Sequence, residues 1–133
     1  MNRVFDLMVV GQPVSKGRPR VTFQDGKAHG YNKPVVEDYT QLVATLMKEK
    51  ANLLGYKPFS FPAPVRVTCQ FIIKDRKDKK PDVNNMGALI LDAIKGICYD
   101  DDAQVTELHL FKRPGNHPRA YIHVQEASRL ETR

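Results

Sequence analysis

The chain has no tryptophan, two cysteines and no apolar run near the ~18 residues that a membrane-spanning helix needs. Cys69 and Cys98 form no CxxC pair, so a thiolate zinc knuckle and a dithiol redox motif are excluded. Both lie in apolar runs, which favours two buried reduced thiols; a disulfide between them stays open. The opening stretch MNRVFDLMVVGQP breaks at Gln12 and Pro13, short of the ~7–15 apolar residues of a signal-peptide core, so a cytoplasmic protein is the default expectation. Acidic residues are also scarce: 15 against 21 lysines and arginines, giving +6 and a pI near 9.4. A small basic domain suits an anionic partner, most often nucleic acid, although the same charge also serves plain solubility.

What is present fits a globular chain. Hydrophobic residues make up 41% of 133 positions, enough to rule out a mainly disordered chain, and the length fits one domain spanning residues 1–133. Its core is expected over about 4–126, with a flexible tail at 127–133.

Residues 4–10 (VFDLMVV) read as a first strand, and 21–23 and 28–31 as a hairpin about Asp25-Gly26. Pro34 opens a helix with Val36, Tyr39, Leu42, Val43, Leu46, Met47 and Leu53 in one stripe and Gly55 as its stop. Val65, Val67, Cys69, Phe71 and Ile73 alternate with Arg66, Thr68 and Gln70, the pattern of a strand in a sheet covered on one side. A charge run, KDRKDKK, leads to Pro81 and a second helix over about 84–95, whose stripe is Met86, Leu89, Ile90, Ala93, Ile94 and Ile97. Residues 105–112 and 120–125 read as closing strands. The fold class is therefore α/β, a small mixed sheet with two helices packed on it.

The stretch KKPDVNNMGALILDAIKGICYDDDAQV places Asp82 before the second helix and Asp100, Asp101 and Asp102 after it. Mg²⁺ takes hard oxygen ligands, usually one or two carboxylates with water and phosphate. Acids that hold such an ion inside a basic chain suit phosphodiester hydrolysis. A helix of about 12 residues spans ~18 Å, so the two groups can meet only if the acidic turn folds back beside Asp82. On spacing alone, Asp82 reads equally as a helix N-cap and the aspartates as a solvated turn.

This stretch, KPDVNN…LDAIKG…YDDDAQV, together with the N-terminal GQPVSKGRPRV, resembles the RusA family of Holliday junction resolvases over residues 8–125. The resemblance implies a dimeric, Mg²⁺-dependent endodeoxyribonuclease of phage or prophage type, with Mn²⁺ able to substitute. Its substrate would be four-way DNA junctions, resolved by paired nicks leaving 5′-phosphate and 3′-hydroxyl ends. It assigns Asp82, Asp101 and Asp102 as catalytic metal ligands, with Asn84 assisting. Asn85 and Asp92 take supporting places. Asn84 stands where the family has a second aspartate, and Ala88 where it often has a lysine. A weakened or inactive branched-DNA-binding protein of the same fold is the alternative reading.

Two basic segments are the expected DNA contacts: Lys16, Arg18 and Arg20 in SKGRPR, and Lys74, Arg76, Lys77, Lys79 and Lys80. The four histidines, His29, His109, His117 and His123, have no ligand spacing and are expected to be structural, His109 and His123 facing neighbouring strands.

Overall fold

The computed structural model describes residues 3–17, 20–24, 27–31, 34–74 and 81–127. Strand β1 (Val4–Val10) is followed by a hairpin of β2 (Arg20–Gln24) and β3 (Lys27–Tyr31), helix α1 (Pro34–Leu54), strand β4 (Val65–Ile73), helix α2 (Val83–Ile94), and strands β5 (Val105–Pro114) and β6 (Arg119–Glu126). The hairpin is in register, with Gln24 opposite Lys27, leaving two residues for the connection. Its expected turn at Asp25-Gly26 lies outside the described residues, as does the tail beyond Ala127.

The main sheet has the order β1-β6-β4-β5. Strand β6 runs antiparallel to both β1 and β4, while β4 and β5 run parallel with α2 as their crossover, which makes the sheet mixed as expected. Alternation in β4 is read out directly: Val65, Val67, Cys69, Phe71 and Ile73 are buried on the helix side with Phe5, Leu7, Val9, Ala120, Ile122 and Val124. Helix α1 packs on β1 and α2, and α2 packs on β5.

The α1 stripe is narrower than the sequence suggested. Val36, Tyr39, Val43, Met47 and Ala51 are buried, but Leu42 and Leu53 face outward, Leu53 being 84% exposed. Helix α1 stops at Gly55, whose φ of 68° suits a residue without Cβ, and Tyr56 N–H returns to Ala51 O at 2.8 Å. Of the α2 stripe, Met86, Leu89, Ile90, Ala93 and Ile94 are buried as expected, while Ile97 lies past the helix end and is partly buried. Gly87 lets α2 approach β5 closely, since a Cβ there would sit 2.6 Å from Leu110 Cδ1.

Both cysteines are buried and free, which decides for reduced thiols over a disulfide. The other side of the sheet is polar and uncovered among the described residues; Asp6, Arg66, Thr68, Gln70, Tyr121, His123 and Gln125 line a shallow concavity there. His109 and His123 both stand in register with Thr68, yet their nearest polar partners lie on their own strands: Glu107 at 3.7 Å and Gln125 at 3.3 Å. No helix among the described residues is long and apolar enough to cross a membrane.

Candidate metal centre and nucleic-acid interface

Helix α2 organises the site at both ends. Asp82 is its N-cap, in extended conformation, and its Oδ1 accepts the Asn84 N–H at 2.9 Å while its backbone O accepts the Met86 N–H at 3.0 Å. The side chain thereby satisfies one of the helix-end donors that have no partner within the helix, and the backbone bond is the first of the helix itself. Asp82, Asn84 and Asn85 are exposed. Lys112 reaches over from β5, its Nζ donating to Pro81 O at 3.0 Å, so an ammonium stands one residue from Asp82.

The segment before the hairpin straps onto the same helix. Lys16 N–H donates to Asn85 O at 3.1 Å, and Lys16 Nζ pairs with Asp92 Oδ2 at 2.5 Å. Asp92 is thus the ion-pair partner of Lys16.

The acidic turn gathers at the opposite end of α2. Gln104 is 2% exposed and makes four hydrogen bonds. Its Oε1 accepts the N–H groups of Asp100 at 2.8 Å and Asp101 at 2.9 Å. Its Nε2 donates to Phe59 O and Ala63 O, both at 3.0 Å. Asp100 is engaged structurally, Oδ2 accepting Phe61 N–H at 3.0 Å. Asp101 and Asp102 remain exposed at the start of the 3₁₀ turn.

Tyr99 is fully buried and its hydroxyl is shared between Leu91 O at 3.2 Å and Asp102 Oδ1 at 3.3 Å. Burial, followed by the neighbouring Asp102 charge and its hydrogen bond, pushes the phenol far above its ordinary range, so it stays a donor at any physiological pH. Lys95, the C-cap residue of α2, lies 3.8 Å from Asp102 Oδ2.

These contacts place the acidic turn relative to α2. The acidic turn folds against the C-terminal third of α2 and does not return to Asp82. Leu91, which shares the Tyr99 hydroxyl with Asp102, lies nine residues beyond Asp82, or ~14 Å along the helix axis. Among the described residues no group of three or more His, Cys, Asp or Glu side chains is gathered for a metal. The physical reason is that Tyr99 and Gln104 both anchor the turn from inside the core.

Of the expected DNA contacts, Lys16 is described and half-engaged with Asp92, and Lys74 is exposed with its N–H on Gln12 Oε1 at 3.1 Å. Arg20 begins β2. Arg18, Arg76, Lys77, Lys79 and Lys80 lie outside the described residues. Sequence reading missed Gln104, Tyr99, Lys95 and Lys112. The Gln two places after the last aspartate was a usable signal for a capping-box-like turn; the other three depend on tertiary contacts.

The chemistry of the donors suits a hard divalent ion: exposed carboxylates and an amide oxygen, with no thiolate or histidine among them. Mg²⁺ asks for only one or two carboxylates, the remainder of its shell being water and phosphate. The comparisons point the same way. A model of the family "Endodeoxyribonuclease RusA" matches residues 11–125, a span that includes both acid groups and the lysine strap. The uncharacterized protein YqaN of Bacillus subtilis (strain 168) is 30% identical over 136 residues, covering 90% of this chain and 94% of that protein. With the α/β architecture and the acids in a basic chain, these matches show that the chain belongs to the RusA endodeoxyribonuclease family.

Proposed function

We propose that this protein is a Mg²⁺-dependent endonuclease, with Mn²⁺ able to substitute, that resolves four-way DNA junctions in the cytoplasm by paired nicks, acting as a homodimer. The observation that carries the reading is the exposed pair Asp101 and Asp102, held on a turn that buried Gln104 fixes, in a basic chain of an endonuclease family. A bound divalent ion would neutralise phosphate charge and acidify an attacking water. The chain's own residues do the rest. Asp101 and Asp102 present oxygens to the ion, Tyr99 and Lys95 orient Asp102, and Lys112 and the lysine strap hold the DNA backbone.

Asp82 belongs to the reading through the dimer. Within one chain it stands apart from Asp102, so two copies related by a two-fold axis would let Asp82 of one, with Asn84 beside it, face Asp101 and Asp102 of the other. Each dimer then has two sites, one for each strand that must be cut.

Purified protein with Mg²⁺ should nick a synthetic four-way junction far faster than linear duplex. Asp82→Asn and Asp102→Asn chains, each inactive alone, should regain nicking of one strand when mixed, because one of the two shared sites is then intact. Failure of the mixture to cut would argue that each chain carries its own complete site. Tight junction binding with no cutting in Mg²⁺ or Mn²⁺ would favour the second reading, a branched-DNA-binding protein, which Asn84 and Ala88 support.

A further inference from the structure

The turn that Gln104 clamps carries an apolar tip that the cleavage chemistry leaves unused. Residues 60–63 form a tight turn closed by Ala63 N–H on Ser60 O at 2.9 Å. Phe61 and Pro62 lie at its apex, both exposed, and Phe61 is 58% exposed. An exposed apolar residue needs no explanation in general. This one differs from the others in its mounting. Its own N–H is held by Asp100 Oδ2 at 3.0 Å, and the carbonyls on either side of the tip, Phe59 O and Ala63 O, are both held by Gln104 Nε2 at 3.0 Å. Phe59 N–H is held in turn by Cys98 O at 2.8 Å. Val10 and Leu53 are more exposed, but neither shares a described hydrogen bond with the acidic turn, and neither is aromatic.

We propose that Phe61, backed by Pro62, is a stacking wedge that covers a base face left unstacked at the branch point of the DNA, making the protein selective for branched over linear duplex. The inference rests on the nuclease reading above. A branch point offers base faces that continuous duplex keeps stacked, and an aromatic ring gains from covering one. Phe and Pro are among the side chains used as apolar wedges between base steps. Fixing the ring's backbone to the acidic turn sets it in register with Asp101 and Asp102, so one recognition event places the neighbouring backbone at the acids. Nearby cations fit the same partner: Lys95 beside Asp102, and Arg3, whose guanidinium lies 4.6 Å from the Phe59 ring centroid.

The test uses full-length protein in metal-free buffer with EDTA, so that binding is read without cutting. The probe is a four-way junction with 2-aminopurine at the branch point. Phe61→Ala should bind the junction about tenfold more weakly, keep the wild-type affinity for linear duplex, and keep the slope of log affinity against log salt. The wild type should raise 2-aminopurine fluorescence as the base leaves its neighbours; Phe61→Ala should not, and Phe61→Trp should keep junction affinity. Equal junction affinity and fluorescence response in wild type and Phe61→Ala would overturn the wedge and leave the nuclease reading standing. A wild type that fails to prefer junctions at all would overturn both. Loss of the dimer in Phe61→Ala, seen by light scattering, would make the tip a protein contact and overturn the wedge.

Discussion

Gln104 Oε1 lies 2.9 Å from the backbone nitrogen of Asp101 and 2.8 Å from that of Asp100, so one buried carboxamide holds the backbone beneath an exposed acid pair. Gln104→Leu would keep the volume and strip four hydrogen bonds, leaving two N–H and two C=O groups to find water. It should lower stability by ~3 kcal/mol in urea unfolding and lower junction cutting at temperatures where the variant is still folded. Gln104→Glu keeps the two accepted bonds but turns a buried carboxylate oxygen toward Phe59 O and Ala63 O, so at neutral pH it should destabilise at least as much as Gln104→Leu.

Asp82 has two separable duties, cap and acid. Asn caps a helix about as well as Asp, so Asp82→Asn should change stability little, whereas Asp82→Ala should cost ~1 kcal/mol. Both should abolish cutting under Mg²⁺. Retained cutting by Asp82→Asn would leave Asp82 as a cap alone.

Tyr99→Phe isolates the hydroxyl that Leu91 and Asp102 share. With the ring kept, the variant should lose ~1 kcal/mol of stability by thermal or urea unfolding. It should also cut more slowly while binding junctions normally, because Asp102 keeps its charge but loses a partner that orients it.

The two thiols report on the core. Burial pushes Cys69 up to about 12 and raises Cys98 as well. Neither should react with an aromatic disulfide reagent at pH 8 in the folded protein, and both should react at once in denaturant. Fast labelling of either in native buffer would contradict the packing described.

Glu107 gives the protein an acid-side pH dependence. A hydrogen bond from Arg66, at 3.2 Å, holds its carboxyl below the usual 4.5. A depressed carboxyl stabilises the folded state above about pH 4.5, and that contribution is lost as pH falls through the folded-state value. Stability of the wild type should therefore fall more steeply than that of Glu107→Gln as pH drops below this point. The effect should be small because the pair is partly open to solvent.

The sequence announced the elements better than their arrangement. Strict alternation from Val65 to Ile73 marks β4 because each side chain takes the opposite face from its neighbour. The α2 stripe was legible because nearly all of it is buried. Leu42 and Leu53 misled because apolar type does not reveal which side of a long helix the sheet will cover. The separation of Asp82 from Asp102 was not readable, since it depends on which end of α2 the acidic turn docks against. That choice is made by Tyr99 reaching Leu91 and by Gln104 reaching Phe59, contacts with no periodic signature. Lys112 escaped notice because its register with Phe71 points a cation to the helix side of the sheet, against the usual expectation for lysine.

The sheet order has a bearing on biogenesis. Strand β6, which follows the other described strands in the chain, inserts between β1, which precedes them, and β4. Until the ribosome releases residues 119–126, β1 has no ladder partner in the sheet and β4 has only β5. The nascent chain must hold open a central slot with two unpaired strand edges and an unfinished apolar face. Such high sequence separation slows folding and leaves edges able to capture other chains. Ribosome stalling or truncation before Arg119 should therefore yield aggregation rather than a shortened native fold.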